Sequence, residues 1–176
     1  PYKIEAYKVS HRVTCYGYRI SIDRKGKFDA ARAKELDIPL KYWNKLQHGE
    51  TITDGDITYT PDMVMGEARR GIKVNYCTDT RPVPIIADYA ADCDLFICEG
   101  MYGEDEKEEN AKEHKHMTMM EAANLGKTAS PKRMWLTHYS PSMNKPDEYI
   151  DKLKKICPVI ETARDGWSVE LGYEEE

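Results

Sequence analysis

Three short apolar runs, each ending in a residue able to do chemistry, narrow the fold more than any other feature of this chain. Lys73-Val-Asn-Tyr-Cys-Thr-Asp79 leads to a carboxylate just ahead of Pro82. Asp94-Leu-Phe-Ile-Cys98 leads to Glu99-Gly100, and Arg133-Met-Trp-Leu-Thr137 leads to His138 ahead of Tyr139-Ser140-Pro141. An apolar run this short, like residues 94–98, is what a fully buried parallel strand requires. Between the runs, Pro84 to Ala91 reads as a helix, and Thr118 to Glu121 has capping-box spacing that starts another, running to about Gly126. Strand and helix alternate, so the fold class is α/β. Strands joined by helical crossovers bring their carboxyl ends to one sheet edge.

Ahead of these runs, Tyr2 to Val9 alternates as a half-buried strand and is followed by His11. Gly17 to Ile22 is a second strand with Tyr18, Ile20 and Ile22 on one face. From Asp23 the pattern changes. Arg24-Lys25-Gly26-Lys27 is a polar turn, Asp29 to Leu36 a short helix, and Asp54-Gly55 the dipeptide of a tight hairpin. Residues 23–71 thus read as an insertion that adds little core. Within it, Lys41-Tyr42-Trp43-Asn44-Lys45-Leu46 interleaves cations with two large aromatics. That pattern is either an amphipathic turn over the core or an exposed surface that meets RNA backbone and bases. Later, residues 104–113 form a charge-dense, solvated segment. A last helix is expected from Pro146 to Lys155, with strands at residues 159–161 and 167–171.

The 176 residues, 40% hydrophobic and 32% charged, suffice for one globular domain, and no stretch is long and apolar enough to span a membrane. The five cysteines form no Cys-x-x-Cys pair and sit mostly in strand-like runs, as reduced thiols of a cytoplasmic protein would. Charge is uneven. Residues 1–49 carry eleven Lys and Arg against five Asp and Glu, whereas the remainder carries fifteen against twenty-six. A basic segment on an acidic body suits local grip on a phosphate backbone, or simply solvates one face. The chain starts at Pro1, directly in a strand-like pattern, and is expected to be a piece of something longer.

Taken singly, Asp79 reads as a cap for the following helix and His11 as a hydrogen-bonded structural residue. Together, His11, Asp79, Glu99 and His138 at strand ends supply the nitrogen and oxygen donors of a hydrolytic zinc or manganese site.

A family resemblance covers essentially the whole chain in order. It rests on His11 with Gly17-Tyr18-Arg19, on Ala33-Lys-Glu-Leu-Asp-Ile-Pro39 through Gly49-Glu50-Thr51, and on Thr78-Asp79-Thr80-Arg81. Cys93-Asp94 through Glu99, His116-Met-Thr118 with Glu121-Ala122-Ala123, and Leu136-Thr-His-Tyr-Ser140 complete it. The sequence resembles the C-terminal part of ribonuclease Z, the metallo-β-lactamase-fold endonuclease that trims tRNA precursors at the 3′ end. The resemblance implies an αββα sandwich of which this chain is the C-terminal half, with residues 23–71 as an arm that holds tRNA. It implies two zinc ions per complete site, with manganese as the alternative. It further implies His11, Asp79 and His138 as metal ligands, and Glu99 and His116 as the pair that donates a proton to the leaving oxygen; within the arm, the cation–aromatic pattern marks Lys41, Tyr42, Trp43 and Lys45 as the candidate RNA contacts. Precursor tRNA, a homodimer partner and an N-terminal half are the implied partners. A glutamate beside an imidazole is expected to favour its protonated form.

The departures are specific. The five histidines, His11, His48, His114, His116 and His138, do not form the family's His-x-His-x-Asp-His signature. Cys98 precedes the motif glutamate, Gly100-Met101 follows it, and Met117 follows His116. Pro39-Leu-Lys-Tyr-Trp43 stands where many members have a Gly/Pro-rich arm. The alternatives are a hydrolase of the same fold acting on another phosphodiester or an ester, and a non-catalytic RNA-binding or dimerisation module.

Overall fold

The computed structural model describes residues 2–104 and 107–174. Two compact units emerge, Asp23–Gly71 and the chain on either side of it.

The flanking unit is built on one six-stranded sheet. Its strands are β1 (Lys3–Lys8), β2 (Tyr16–Arg24), β5 (Arg69–Cys77), β6 (Leu95–Glu99), β7 (Met134–Thr137) and β8 (Ile160–Thr162), in that spatial order. β1 and β2 are antiparallel, from Lys3 opposite Ser21 to Lys8 opposite Tyr16. β5 to β8 pair in parallel, with Cys77 beside Cys98 and Cys98 beside Leu136. Helical crossovers α3 (Pro84–Ala90) and α5 (Met119–Ala129) make that possible. Thr118 caps α5, accepting from Glu121 N while Glu121 accepts from Thr118 N, as the sequence spacing predicts. α5 runs past Gly126 to Ala129, because a left-handed Ser130 rather than the glycine ends it. Gly126 instead lets the helix close onto Met134 and Cys157.

One sheet face is covered by these helices. Tyr7, Cys77, Phe96, Cys98, Met134 and Leu136 pack there against Ile86, Ala90, Met119, Ala122 and Ala123. The opposite face is only partly covered, where Leu95, Trp135 and Ala163 meet Val169 and Leu171. Towards β1 and β2 it is open: Ile4 is 56% exposed, Tyr18 41% and Ile20 39%. Several large apolar side chains therefore stand exposed together on that part of the face. Residues 167–171 are not a strand. Trp167 sets its ring edge-on to Trp135, and the alternation of the stretch serves side-chain packing onto the sheet rather than ladder pairing. The expected last helix divides into a 3-10 turn at Pro146–Tyr149 and α6 (Ile150–Lys154). Of the charge-dense 104–113 stretch, Glu108–His114 forms α4, whereas Asp105 and Glu106 lie outside the described residues.

The Asp23–Gly71 unit has a core of its own, contrary to the expectation that it adds little. Ala33, Ile38, Leu46, Tyr59 and Val64 are buried, with Phe28, Tyr42 and Trp43 packed around them. Its elements are α1 (Ala30–Glu35), capped by Asp29, α2 (Leu40–His48), and the hairpin β3 (Ile52–Asp54) and β4 (Ile57–Tyr59). The segment read as a turn is therefore a full helix, closed by Gly49 at φ +93°. The hairpin turns on Gly55-Asp56, because Asp54 pairs with Ile57 and the positive φ falls at Gly55.

Candidate functional site

Parallel strands β5, β6 and β7 end side by side, and their ends carry Asp79, Glu99 and His138. Asp79 and His138 both turn with positive φ, 52° and 57°, which swings each side chain off the strand line. Asp79 Oδ1 lies 2.7 Å from His138 Nε2 and 3.9 Å from His116 Nδ1. The rings of His116 and His138 are 5.4 Å apart and those of His11 and His116 5.0 Å. All four groups thus gather at one edge.

His11 arrives from the β1–β2 connection. Its Nδ1 lies 3.0 Å from the Lys115 carbonyl oxygen. A carbonyl only accepts, so that nitrogen carries the proton and Nε2 keeps the lone pair a metal would use. Donor atoms of His11, Asp79 and His116 all lie within 4.8 Å of one another, and this mixed nitrogen and oxygen set fits a zinc-like divalent ion. His138 reaches the group through Asp79. His116, expected as the proton donor, therefore also lies within reach of the ligand cluster.

Glu99 is fully buried. Oε1 accepts from Thr80 N at 2.6 Å, Oε2 accepts from Met117 N at 3.1 Å, and His116 Nδ1 stands 3.2 Å from Oε2. Burial pushes this carboxyl up to about 7, against the opposing pull of the two backbone donors. His116 is held below its ordinary value, first by burial and next by His11. The expectation that Glu99 raises the protonated fraction of His116 is corrected accordingly: burial is the leading influence on the imidazole and disfavours its charged form.

Sequence reasoning missed the scaffold beneath these residues. Arg81 and Glu121 form a little-exposed ion pair under His116, and the Thr80 hydroxyl accepts from Ser10 N at 3.0 Å, next to His11. The Thr118 to Glu121 spacing revealed the cap, but nothing in it revealed the second duty of Glu121.

Of the proposed RNA contacts, all on α2 in the separate unit, Lys41 and Lys45 are exposed. Lys41 sits 4.6 Å above the Tyr42 ring and 3.6 Å from Asp54, to which the Tyr42 hydroxyl donates at 2.6 Å. Trp43 is half-buried. Its indole donates to the Ile38 carbonyl at 2.9 Å and its ring packs 5.3 Å from Phe28, because it faces the core side of the amphipathic helix.

Residues 44–139 match the model of the beta-lactamase superfamily domain. The chain belongs to the beta-lactamase superfamily. Among superfamily relatives, Ribonuclease Z of Lachnospira eligens is 61% identical over 99% of this chain and 58% of its own length. Ribonuclease Z of Lachnoclostridium phytofermentans is 49% identical over 98% of this chain and 57% of its own. The chain thus spans somewhat over half the length of these relatives. Among solved structures, the metallo-beta-lactamase fold protein YhfI from Bacillus subtilis has a TM-score of 0.60 at 20% identity, over 95% of this chain and 48% of that one. The short form of human tRNase Z has a TM-score of 0.57 at 18% identity, over 98% and 44%. These likenesses show the metallo-β-lactamase fold.

Proposed function

We propose that this chain is the C-terminal part of an endoribonuclease that removes 3′ trailers from precursor tRNA by attack of water on a phosphodiester. The observation that carries the reading is the 61% identity, along nearly the whole chain, to a protein named Ribonuclease Z. His11, Asp79 and His138 are assigned as metal ligands, zinc being the expected ion, two per complete site, and manganese the alternative. When bound, such an ion supplies Lewis acidity and an acidified water. The protein's own share is proton handling. His116, seated on Glu99, donates a proton to the leaving 3′ oxygen, and burial beside Glu99 keeps bulk water from competing for it. Lys41 and Lys45 hold RNA phosphates as part of the arm at residues 23–71, and Tyr42 supports Lys41 through its ring.

The other ligands are assigned to an N-terminal segment carrying the His-x-His-x-Asp-His signature. The same segment would cover the open sheet face, and the arm would reach tRNA across a homodimer. Cytoplasmic residence is supported by five free cysteines, four of them buried. No helix among the described residues is long and apolar enough to cross a membrane.

The test is cleavage of a 3′-extended precursor tRNA with added zinc. It compares this chain alone, the chain joined by the His-rich segment, and the joined protein carrying Asp79→Ala. Cleavage confined to the joined, unmutated protein is the expected result. Bound but uncleaved tRNA in every sample would leave only a binding module.

A further inference from the structure

Arg81 lies two residues past Asp79, and its guanidinium reaches under the loop that carries His116. Nη1 donates to the His116 carbonyl oxygen at 2.5 Å and to Glu121 Oε2 at 3.1 Å, while Nη2 pairs with Glu121 Oε1. The two side chains are only 15% and 21% exposed, so the pair is shielded from solvent and held in a fork-to-fork geometry. Glu121 Oε2 also accepts from Thr118 N at 2.9 Å.

The His116 amide donates to the Ala111 carbonyl oxygen at 2.9 Å. The residue stands between the left-handed Lys115 that ends α4 and the Thr118 that begins α5. Its carbonyl is held by Arg81, and the next amide, Met117 N, donates to Glu99. The backbone of the same turn completes the frame. Arg81 N donates to Ser10 O at 2.8 Å, and Thr80 N donates to Glu99. One dipeptide, Thr80-Arg81, thereby touches the segments bearing His11, Glu99 and His116.

We infer that Arg81, locked by Glu121, is a positioning residue that sets the His116 imidazole against Glu99 and so aligns the proton donor. The inference rests on the proposed role of His116. A lysine at position 81 would carry one point charge on a flexible stem and could not serve the carbonyl and both carboxylate oxygens at once.

The experiment uses the complete protein and two diesters. A precursor tRNA must expel an alkoxide that needs a proton, whereas bis(p-nitrophenyl) phosphate expels a phenolate that does not. For Arg81→Lys and Glu121→Gln, kcat on the tRNA is expected to fall about 10²-fold, the scale of a small misplacement of a catalytic group, with KM unchanged. Hydrolysis of the activated diester should stay near wild type, and added guanidinium should partly restore tRNA cleavage by Arg81→Ala. Equal losses on both diesters, or none on tRNA, would overturn the inference. A second readout needs no activity: the downfield NMR signal of the His116 Nδ1 proton facing Glu99 should shift or vanish in Arg81→Ala. An unchanged signal would count against positioning. Wild-type protein that fails on tRNA would refute the functional reading alone, and the NMR signal would still decide the role of Arg81.

Discussion

A methyl group added at Gly17 has nowhere to go. Its Cβ would lie 2.2 Å from Cζ and 2.4 Å from the hydroxyl oxygen of Tyr7, the residue opposite it on β1. Tyr7 cannot retreat. Its ring is stacked at 4.2 Å on Tyr89, and its hydroxyl exchanges hydrogen bonds of 3.1 and 2.9 Å with the buried Asn75 amide. Overpacking of this kind costs about 1–3 kcal/mol. Displacing the ring far enough to break the Asn75 contact adds about 1–3 kcal/mol for buried polar groups left unpaired. Loss of glycine's chain entropy returns about 0.5–1 kcal/mol. Gly17→Ala is therefore expected to destabilise by about 1–5 kcal/mol, read as a lowered urea midpoint at constant m-value. Tyr7→Ala, costly in itself, makes room for the methyl, so adding Gly17→Ala to that background should cost almost nothing. Strict additivity of the two changes would show that the Tyr7 ring is not what forbids a side chain at position 17.

Three further expectations follow from other parts of the chain. Thr162 and then Arg164 hold the Asp147 carboxyl below its ordinary value of 3.8. A depressed acid stabilises above its unfolded value and loses that contribution as pH falls through the folded one. Asp147→Asn should flatten the acid limb of urea stability below pH about 4 and leave its slope at neutral pH unchanged; an unaltered acid limb would refute the assignment. On the open sheet face, Ile20→Glu should reduce self-association of the isolated chain in sedimentation velocity, and equal association of both forms would show that the contact lies elsewhere. Lys41→Glu and Lys45→Glu should each weaken tRNA binding and lower the slope of log affinity against log salt by about one; unchanged slopes would remove these lysines from the RNA contact.

Much of the site was legible because its residues stand at strand ends. Short apolar runs can only be buried strands or helix fragments, and the turn residues after Asp79 and His138 decide for strands. Convergence of those ends follows from parallel pairing. What lay hidden depends on which way a side chain faces. Trp43 looked like a base-stacking residue because aromatic and basic residues alternate around it, yet a helical period turns it inward. The role of Arg81 left no trace, since neither its carboxylate partner forty positions away nor the backbone carbonyl it holds gives a local signal. Residues 167–171 alternate as a strand would, and only the packing of Trp167, Val169 and Leu171 on the sheet shows that the alternation serves another purpose.

The left-handed turns at Asp79 and His138 carry a consequence for engineering. A side chain in that region costs about 1–2 kcal/mol relative to glycine, with aspartate penalised less than most. The fold thus keeps an aspartate and a histidine where glycine would be more comfortable. A library screened for heat resistance alone should drift towards glycine at both positions and lose the Asp79–His138 contact as it gains melting temperature. If the proposed activity is right, a library screened for precursor cleavage should hold both residues and recover stability elsewhere, in the helix-covered core.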